Sequence, residues 1–426
     1  MTKNKLKWIL FVLNRFNSAD TKGRSFATTI FSILGIAFGV TVLIVVLAVM
    51  NGFQMSFIDT ILEVSSGHIR LYGDEEKLKQ VENLKLHKSF FMFREEQTLI
   101  QGSASSQGGA LIRAVDENIL QKDPGFASAI RIIFGEFDIS EKNSIVIGYE
   151  LARQLSFKVG DKVNIVAASG TSKTDIFPEN KTLIIKGIFK TGFYMIDSSF
   201  AFISLQKSKE ILGDEKNIYA SVKLYNQNDD YFYMSAIKKN IPEIKAESWR
   251  TYNHAFFGTL RVEKNTMLLL VVLIFLVVAV NIYNGMRRSI YERKEEIAIL
   301  TSVGASPKQI QFLFIANGFS IGFIGAFSGL LLGLLLAVQI NSVFAIIEFA
   351  VNNIIIFFSI LTSMESGDEF YILSRYTFYF ENIPVRLFFA EIFYIFLFGV
   401  FSASSAAMIA AKKILKLKPA EVLRYE

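Results

Sequence analysis

The sequence predicts an α-helical membrane protein with four transmembrane helices and a large extracytoplasmic α/β domain, of two lobes, inserted between helices 1 and 2. Three observations predict it. Apolar side chains make up 51% of the 426 residues, mean hydropathy is +0.37, and the apolar residues are bunched into four long runs. At about 1.5 Å per helical residue, each run can cross a hydrocarbon layer roughly 30 Å thick. Lysine and arginine cluster in three segments that flank the runs, and residues 51–265 change to short strand-like and helix-like patterns.

In chain order, residues 1–24 carry "KLKWILFVLNRF", which sets Leu6, Ile9, Leu13 and Phe16 along one helical face with basic residues opposite. This is the pattern of an in-plane amphipathic helix, or of a plain basic anchor. Residues 25–50 form the first run, 26 residues without a charge. A cleaved signal peptide has a much shorter apolar region, so the run reads as a span. In residues 51–265, "GHIRLYG", "KVNIVAAS" and "KTLIIKGIFK" have strand character, while "GYELARQLSF" and "SLQKSKEILG" have apolar residues at helical spacing. "QGSASSQGG", residues 101–109, is a polar loop. Residues 266–286 are the second run, interrupted near its end by Asn281 and Asn284. The charged stretch "RRSIYERKEEIAILTSVGASPKQI" fills 287–310, the third run is 311–338, a second outer loop is 339–386, the fourth run is 387–411, and 412–426 is a basic tail. Glu391 lies a few residues inside the fourth run, where a carboxylate is costly unless it is paired or near the interface.

Orientation follows from charge. Lys3, Lys5, Lys7, Arg15, Lys22 and Arg24 precede the first run, Arg287, Arg288, Arg293, Lys294 and Lys308 separate the second from the third, and Lys412, Lys413, Lys416, Lys418 and Arg424 follow the fourth. The positive-inside rule makes all three segments, and so both termini, cytoplasmic, and residues 51–265 extracytoplasmic. This placement accounts for the net charge of +6 without nucleic acid.

Several chemistries are excluded. The chain has no cysteine, so it has neither disulfides nor thiolate metal sites. It has no GxxxxGK[ST] motif and no Gly-Lys pair, so it cannot build the usual phosphate-cradling loop. His68, His87 and His254 are isolated from one another, and "DEEK" at 74–77 and "REEQ" at 94–97 read as solvated charge. No catalytic, cofactor-binding or metal residues are expected. In the third run Gly318, Gly322, Gly325, Gly329 and Gly333 fall within an arc of roughly 80° on one helix face, and Gly35 and Gly39 form a shorter version in the first. Such a stripe permits close backbone approach, within one subunit or across a dimer seam.

"FSILGIAFGVTVLIVVLAVMNGFQ", "VIGYELARQLSFKVGDKVNIV", "GIFKTGFYMIDSSFAFISL", "RKEEIAILTSVGAS" and "KPAEVLRYE" resemble successive landmarks of the lipoprotein-releasing (LolC/LolE-type) permeases, within the wider MacB-like four-span group. The resemblance runs from Trp8 to Glu426 and is thinnest at 78–126 and 341–381. It implies a non-enzymatic subunit of the bacterial inner membrane, assembled with two copies of a separate ABC ATPase that holds ATP and Mg. A second permease chain is also implied, a paralogue or another copy. The substrate is then a lipoprotein, drawn from membrane lipid and passed to a periplasmic carrier.

On this resemblance 287–310 is a coupling helix. Ile297, Ile299, Leu300 and Val303, ahead of Gly304, would lodge in a groove of the ATPase, while Arg293, Lys294, Glu295 and Glu296 make polar contacts. The other reading is a helix lying on lipid. Met50, Asn51, Gly52 and Phe53, at the outer end of the first span, would admit the lipoprotein's acyl chains, the other reading being a structural cap. The pair Arg287 and Arg288 departs from the more apolar residues of related sequences. Two alternatives within the wider group are export of small molecules or peptides, and a non-transporting signal transmitter of the cell-division type.

Overall fold

The computed structural model describes residues 24–84, 86–102, 107–141, 143–169, 177–212, 218–362 and 382–412. The N-terminal amphipathic segment, most of the basic tail and the middle of the "QGSASSQGG" loop lie outside the described residues. The ordered elements are α1 (Arg24–Thr60), a π-helical turn (Ile61–Ser66), β1 (Ile69–Tyr72), α2 (Glu75–Glu82), β2 (Ser89–Gln101), β3 (Gln107–Val115), β4 (Arg131–Gly135), β5 (Ser144–Gly148), α3 (Tyr149–Leu155), β6 (Lys162–Ser169), β7 (Phe177–Lys190), β8 (Phe200–Ser204), β9 (Tyr219–Lys223), α4 (Asp230–Asn240), β10 (Lys245–Ser248), α5 (His254–Glu292), α6 (Lys294–Ser302), α7 (Pro307–Val338), α8 (Ile340–Thr362) and α9 (Phe389–Ala411), with short helical turns between strands. They form two compact units, one of Met1–Gln54, Arg261–Leu373 and Asn382–Glu426, the other of Met55–Leu260 and Ser374–Glu381.

In the first unit the apolar runs are helices that outlast their apolar parts. α1 continues to Thr60 and α5 starts at His254, well beyond 50 and before 266, because loss of hydrophobicity ends burial in lipid but does not end backbone hydrogen bonding. Among the described residues, five helices are long and apolar enough to cross a membrane, one more than the sequence reading counts. The fifth is α8, within the stretch read as an outer loop. Asn341 ties its start to Ile383, donating from Nδ2 to the Ile383 carbonyl (3.4 Å) and accepting at Oδ1 from its N–H (2.9 Å).

The core of this unit joins Ile36, Val40 and Ile44 of α1, Phe275 and Ile282 of α5, Phe314 and Ile321 of α7, and Ala403 and Ala407 of α9. Glycine decides how closely α7 approaches its neighbours. A Cβ at Gly318 or Gly322 would stand 2.3 or 2.6 Å from the Cβ of Ala407 or Ala403 on α9. At Gly325, Gly329 and Gly333 the atoms met first are Ile36 Cβ, the Ala37 carbonyl oxygen and Ile44 Cβ of α1, at 2.9, 2.5 and 3.0 Å. The stripe therefore faces α9 with one half and α1 with the other, so contacts within the chain account for all five glycines.

The second unit holds a ten-stranded sheet in the order β10-β1-β9-β2-β3-β8-β5-β7-β4, with β6 pairing β2 and β7. Strands β1, β2, β9 and β10 with helices α2 and α4 make an antiparallel βαββαβ sheet of spatial order β10-β1-β9-β2, the ferredoxin-like pattern. All the other strands are inserted between β2 and β9. The long β2 pairs β9 through Ser89–Phe93 and β3 through Arg94–Gln101. Ile69, Leu71, Leu78, Val222 and Ile237 fill one core, while separate clusters form around Ile112, Ile147 and Ile185 and around Phe93, Phe126 and Phe202.

Buried charge ties the π-helical turn to this sheet. Arg113, only 1% exposed, donates to the Val64 carbonyl (2.8 Å) and to that of Ser65, and its Nη2 lies 2.5 Å from Glu95 Oε2. Its guanidinium lies over the rings of Phe93 and Phe200, and Arg70 pairs with the other oxygen of Glu95. Burial pushes the Glu95 carboxyl up, but the charges of Arg113 and Arg70 outweigh it and hold the carboxyl below its ordinary value. Lys223 Nζ reaches the Glu63 carbonyl (2.9 Å), Glu63 Oε2 (2.6 Å) and Asp123 Oδ2 (2.5 Å). Two cations thus meet carbonyls that the end of a helix leaves without partners.

Candidate coupling turn and outer-end cluster

The stretch "TSVGASPKQ" carries its turn chemistry in sequence. Gly304 takes φ +108, Ala305 N–H donates to the Leu300 carbonyl (3.0 Å) and Gly304 N–H to that of Thr301 (3.1 Å), a Schellman closure of α6. Two residues later Ser306 caps α7: its Oγ accepts from Gln309 N–H (3.3 Å) and Gln309 Oε1 accepts from Ser306 N–H (2.9 Å), with Pro307 in the first turn. Back-to-back caps make α6 and α7 a stiff pair.

The apolar residues of α6 point two ways. Ile297 is 2% exposed and belongs to the core of its own unit, with Leu300 packed against it. Both are expected to fill a groove on another protein; here Ile297 lies in one buried cluster with Ile290, Ile310 and Leu313 of this chain. Ile299 and Val303 are 54% and 84% exposed and share an outward face with Glu295 and Glu296. Arg293 is largely covered, its Nη1 3.8 Å from Glu296 Oε2.

At the other end of the unit Glu391 is paired. Its Oε2 accepts from Asn51 Nδ2 (2.5 Å) and its Oε1 from Lys264 Nζ (2.8 Å), so one carboxylate joins α1, α5 and α9. Asn51 is buried, and Gly52 is held so close to the 382–388 segment that a Cβ would stand 2.0 Å from the Pro384 carbonyl oxygen. Arg386 N–H donates to the Ala48 carbonyl (2.9 Å). Met50 is buried as well, and Phe53 stays half-buried. Asn51 and Gly52, where the apolar run of α1 ends, are thus built into a packed corner.

Comparison with known proteins gives this geometry its family. The MacB-like periplasmic core domain family matches residues 29–239 and the FtsX-like permease C-terminal family matches 268–419. The lipoprotein-releasing system transmembrane proteins LolC of Xylella fastidiosa (strain 9a5c) and of Neisseria meningitidis serogroup B are each 27% identical to this chain, covering 93% of it and 93% and 94% of their own lengths. LolE of Haemophilus influenzae is 22% identical over 92% of this chain and 93% of its own. The chain is similar to the lipoprotein-releasing permeases along nearly its whole length.

In this chain the remaining sequence-predicted residues separate. Gly39 meets Val278 and Ile274 at 3.6 and 3.7 Å, whereas nothing lies within 4 Å of a Cβ at Gly35, which therefore faces open space. The histidines stay apart. His68 Nδ1 accepts from Leu224 N–H (2.9 Å), His87 meets Tyr233 (3.1 Å), and His254 lies 2.9 Å from the Thr251 carbonyl. Sequence reasoning flagged Glu391 but missed its partners. The amide at Asn51 and the lysine two residues before the second run were the available signals.

Proposed function

We propose that this permease is the membrane subunit of an ATP-driven complex that extracts lipoproteins from the inner membrane and passes them to a periplasmic carrier. The observation that carries the reading is the match to LolC and LolE proteins along 92–93% of the chain, through both the MacB-like and the FtsX-like parts. The hydrolysing subunit is a separate ATPase, ATP and Mg bind there, and a second permease chain completes the membrane part. Glu295, Glu296, Ile299 and Val303 form the face offered to the ATPase, and the stiff α6–α7 turn passes its displacement to the spans. Lipoprotein enters beside residues 50–53 of α1, where Phe53 is half-buried and the Glu391 cluster sets the corner.

Four spans are α1, α5, α7 and α9, with both termini cytoplasmic. The basic segments 287–308 and 412–424 support this count, since a single fifth crossing at α8 would put them on opposite sides. α8 then lies along the outer interface, with Ile346, Phe349 and Phe357 exposed and Glu348 and Asn352 on its half-buried face.

The test is reconstitution of the permease with its co-purifying ATPase in proteoliposomes carrying an acylated lipoprotein, followed by addition of ATP and the soluble carrier. Lipoprotein should move to the carrier only when ATP is hydrolysed. ATP-driven movement of small amphiphiles with no lipoprotein release would replace this reading with the exporter one.

A further inference from the structure

The arginine pair at the end of α5 takes no part in the coupling face, and it borders a cavity of the membrane unit. That cavity, about 730 Å³, is bordered by Arg287, Arg288, Lys294 and Tyr291, with Ile290 and Ala410 as apolar walls. Among the described residues Glu292 is the one acid on its border, and it already accepts from Arg288 Nε (2.9 Å). Lys294 Nζ lies 5.4 Å from the centre of the exposed Tyr291 ring. Three cations against one paired carboxylate make the space a site for an anion.

A second cavity of about 370 Å³ shares Asn284 and Arg288 with the first and continues between α1 and α5. Its border is apolar at Phe31, Val278 and Ile282, and it has room because Gly35 and Gly285 carry no side chains. Asn281 and Asn284 are exposed here on a membrane-spanning helix. An amide at that depth is costly unless something hydrogen-bonds to it. In sequence along α5 the border therefore runs from apolar, through amide, to cationic.

We propose that this cleft binds one anionic phospholipid. The phosphate lies against Arg287, Arg288 and Lys294, the Nδ2 groups of Asn284 and Asn281 donate to the glycerol ester carbonyls, and an acyl chain fills the space beside Gly35. Basic pockets between membrane helices at a headgroup layer are suited to such lipids. A free phosphate or an acidic protein segment would satisfy the cations but leave the apolar upper cleft and both amides unmatched. The proposal rests only on α1 and α5 spanning a membrane, so it stands apart from which substrate the permease carries.

The full chain, purified in detergent and delipidated, is heated alone, with phosphatidylglycerol, with phosphatidylcholine of the same acyl chains, and with inorganic phosphate. Near saturation phosphatidylglycerol should raise the unfolding midpoint by roughly 5 °C, and the other two additions should raise it little. Replacing both arginines, Arg287→Gln with Arg288→Gln, should abolish the increment while leaving the lipid-free midpoint unchanged. Gly35→Leu, which fills the upper cleft and spares every cation, should also reduce the increment, and it decides the matter if the arginine variant fails to fold. An equal increment from phosphatidylcholine, a full increment from phosphate alone, or an increment that survives Gly35→Leu overturns the proposal.

Discussion

Gly329→Ala tests whether backbone approach, and not hydrophobicity, holds α1 against α7. The added methyl would stand 2.5 Å from the Ala37 carbonyl oxygen, 2.8 Å from Val40 Cβ and 2.9 Å from Ala37 Cα. Two of those atoms are backbone, so no rotamer change relieves them. To reach the 3.4 Å at which ordinary contact begins, α1 must retreat by most of an ångström. Thr41 Oγ1, which donates to the Gly329 carbonyl at 3.0 Å, would be stretched as well. A gap of that size forfeits about a quarter to a half of the dispersion energy at each contact, and Ile36, Val40 and Ile44 line the affected face. Overpacking of this kind costs about 1–3 kcal/mol, against a gain of up to about 1 kcal/mol from better helix propensity. The expected net loss is about 1–2 kcal/mol, a fall of several degrees in the unfolding midpoint of the detergent-purified chain. Gly258→Ala in α5 is the control, because nothing lies within 4 Å of its Cβ position, and it should be neutral or mildly stabilising. A Gly329→Ala chain as stable as the parent, with Gly258→Ala behaving as stated, would refute the packing argument.

Ile299→Asp combined with Val303→Asp should leave membrane levels normal and abolish co-purification of the ATPase, whereas Ile297→Asp should lower the level of the chain itself. If the outward pair still co-purifies the ATPase in full, the assignment of that face is wrong. Reversing either Lys264→Glu or Glu391→Lys puts like charges together at the outer corner and should lower the unfolding midpoint. The double reversal should recover most of the loss, because the Asn51 amide can turn its oxygen to the introduced ammonium, and a double reversal no better than the singles would dismiss the pair. Burial above all holds His68 below its ordinary value of 6.5. The unfolded chain then takes up the proton first, so this contribution to stability is fully present above about pH 6.5 and declines as pH falls toward the folded value. His68→Gln should flatten the stability profile in that window, and an unchanged slope would count against it.

Sequence alone determined the features whose causes are local or set by the solvent. The apolar runs announce membrane helices, because lipid offers no hydrogen bonds and leaves the backbone no alternative. The caps that close α6 and open α7 are equally local in cause, because glycine, serine, proline and glutamine in "VGASPKQ" each meet a need within a few residues. Tertiary structure decided the rest, because the same local pattern fits more than one arrangement. Ile297 and Leu300 turn inward while Ile299 and Val303 face out, a choice periodicity cannot make on a short helix that is apolar on both sides. Gly329 is wedged against α1 and Gly35 borders open space, although both sit in glycine pairs of the same spacing. α8 looked like loop because its Glu348, Asn352 and Asn353 dilute an otherwise apolar helix. The ferredoxin-like sheet was illegible because its halves are separated by all the strands from β3 to β8. Glu391 finds Asn51 only across 340 positions of sequence, and that pairing exists because three helices converge, something no local pattern of residues encodes.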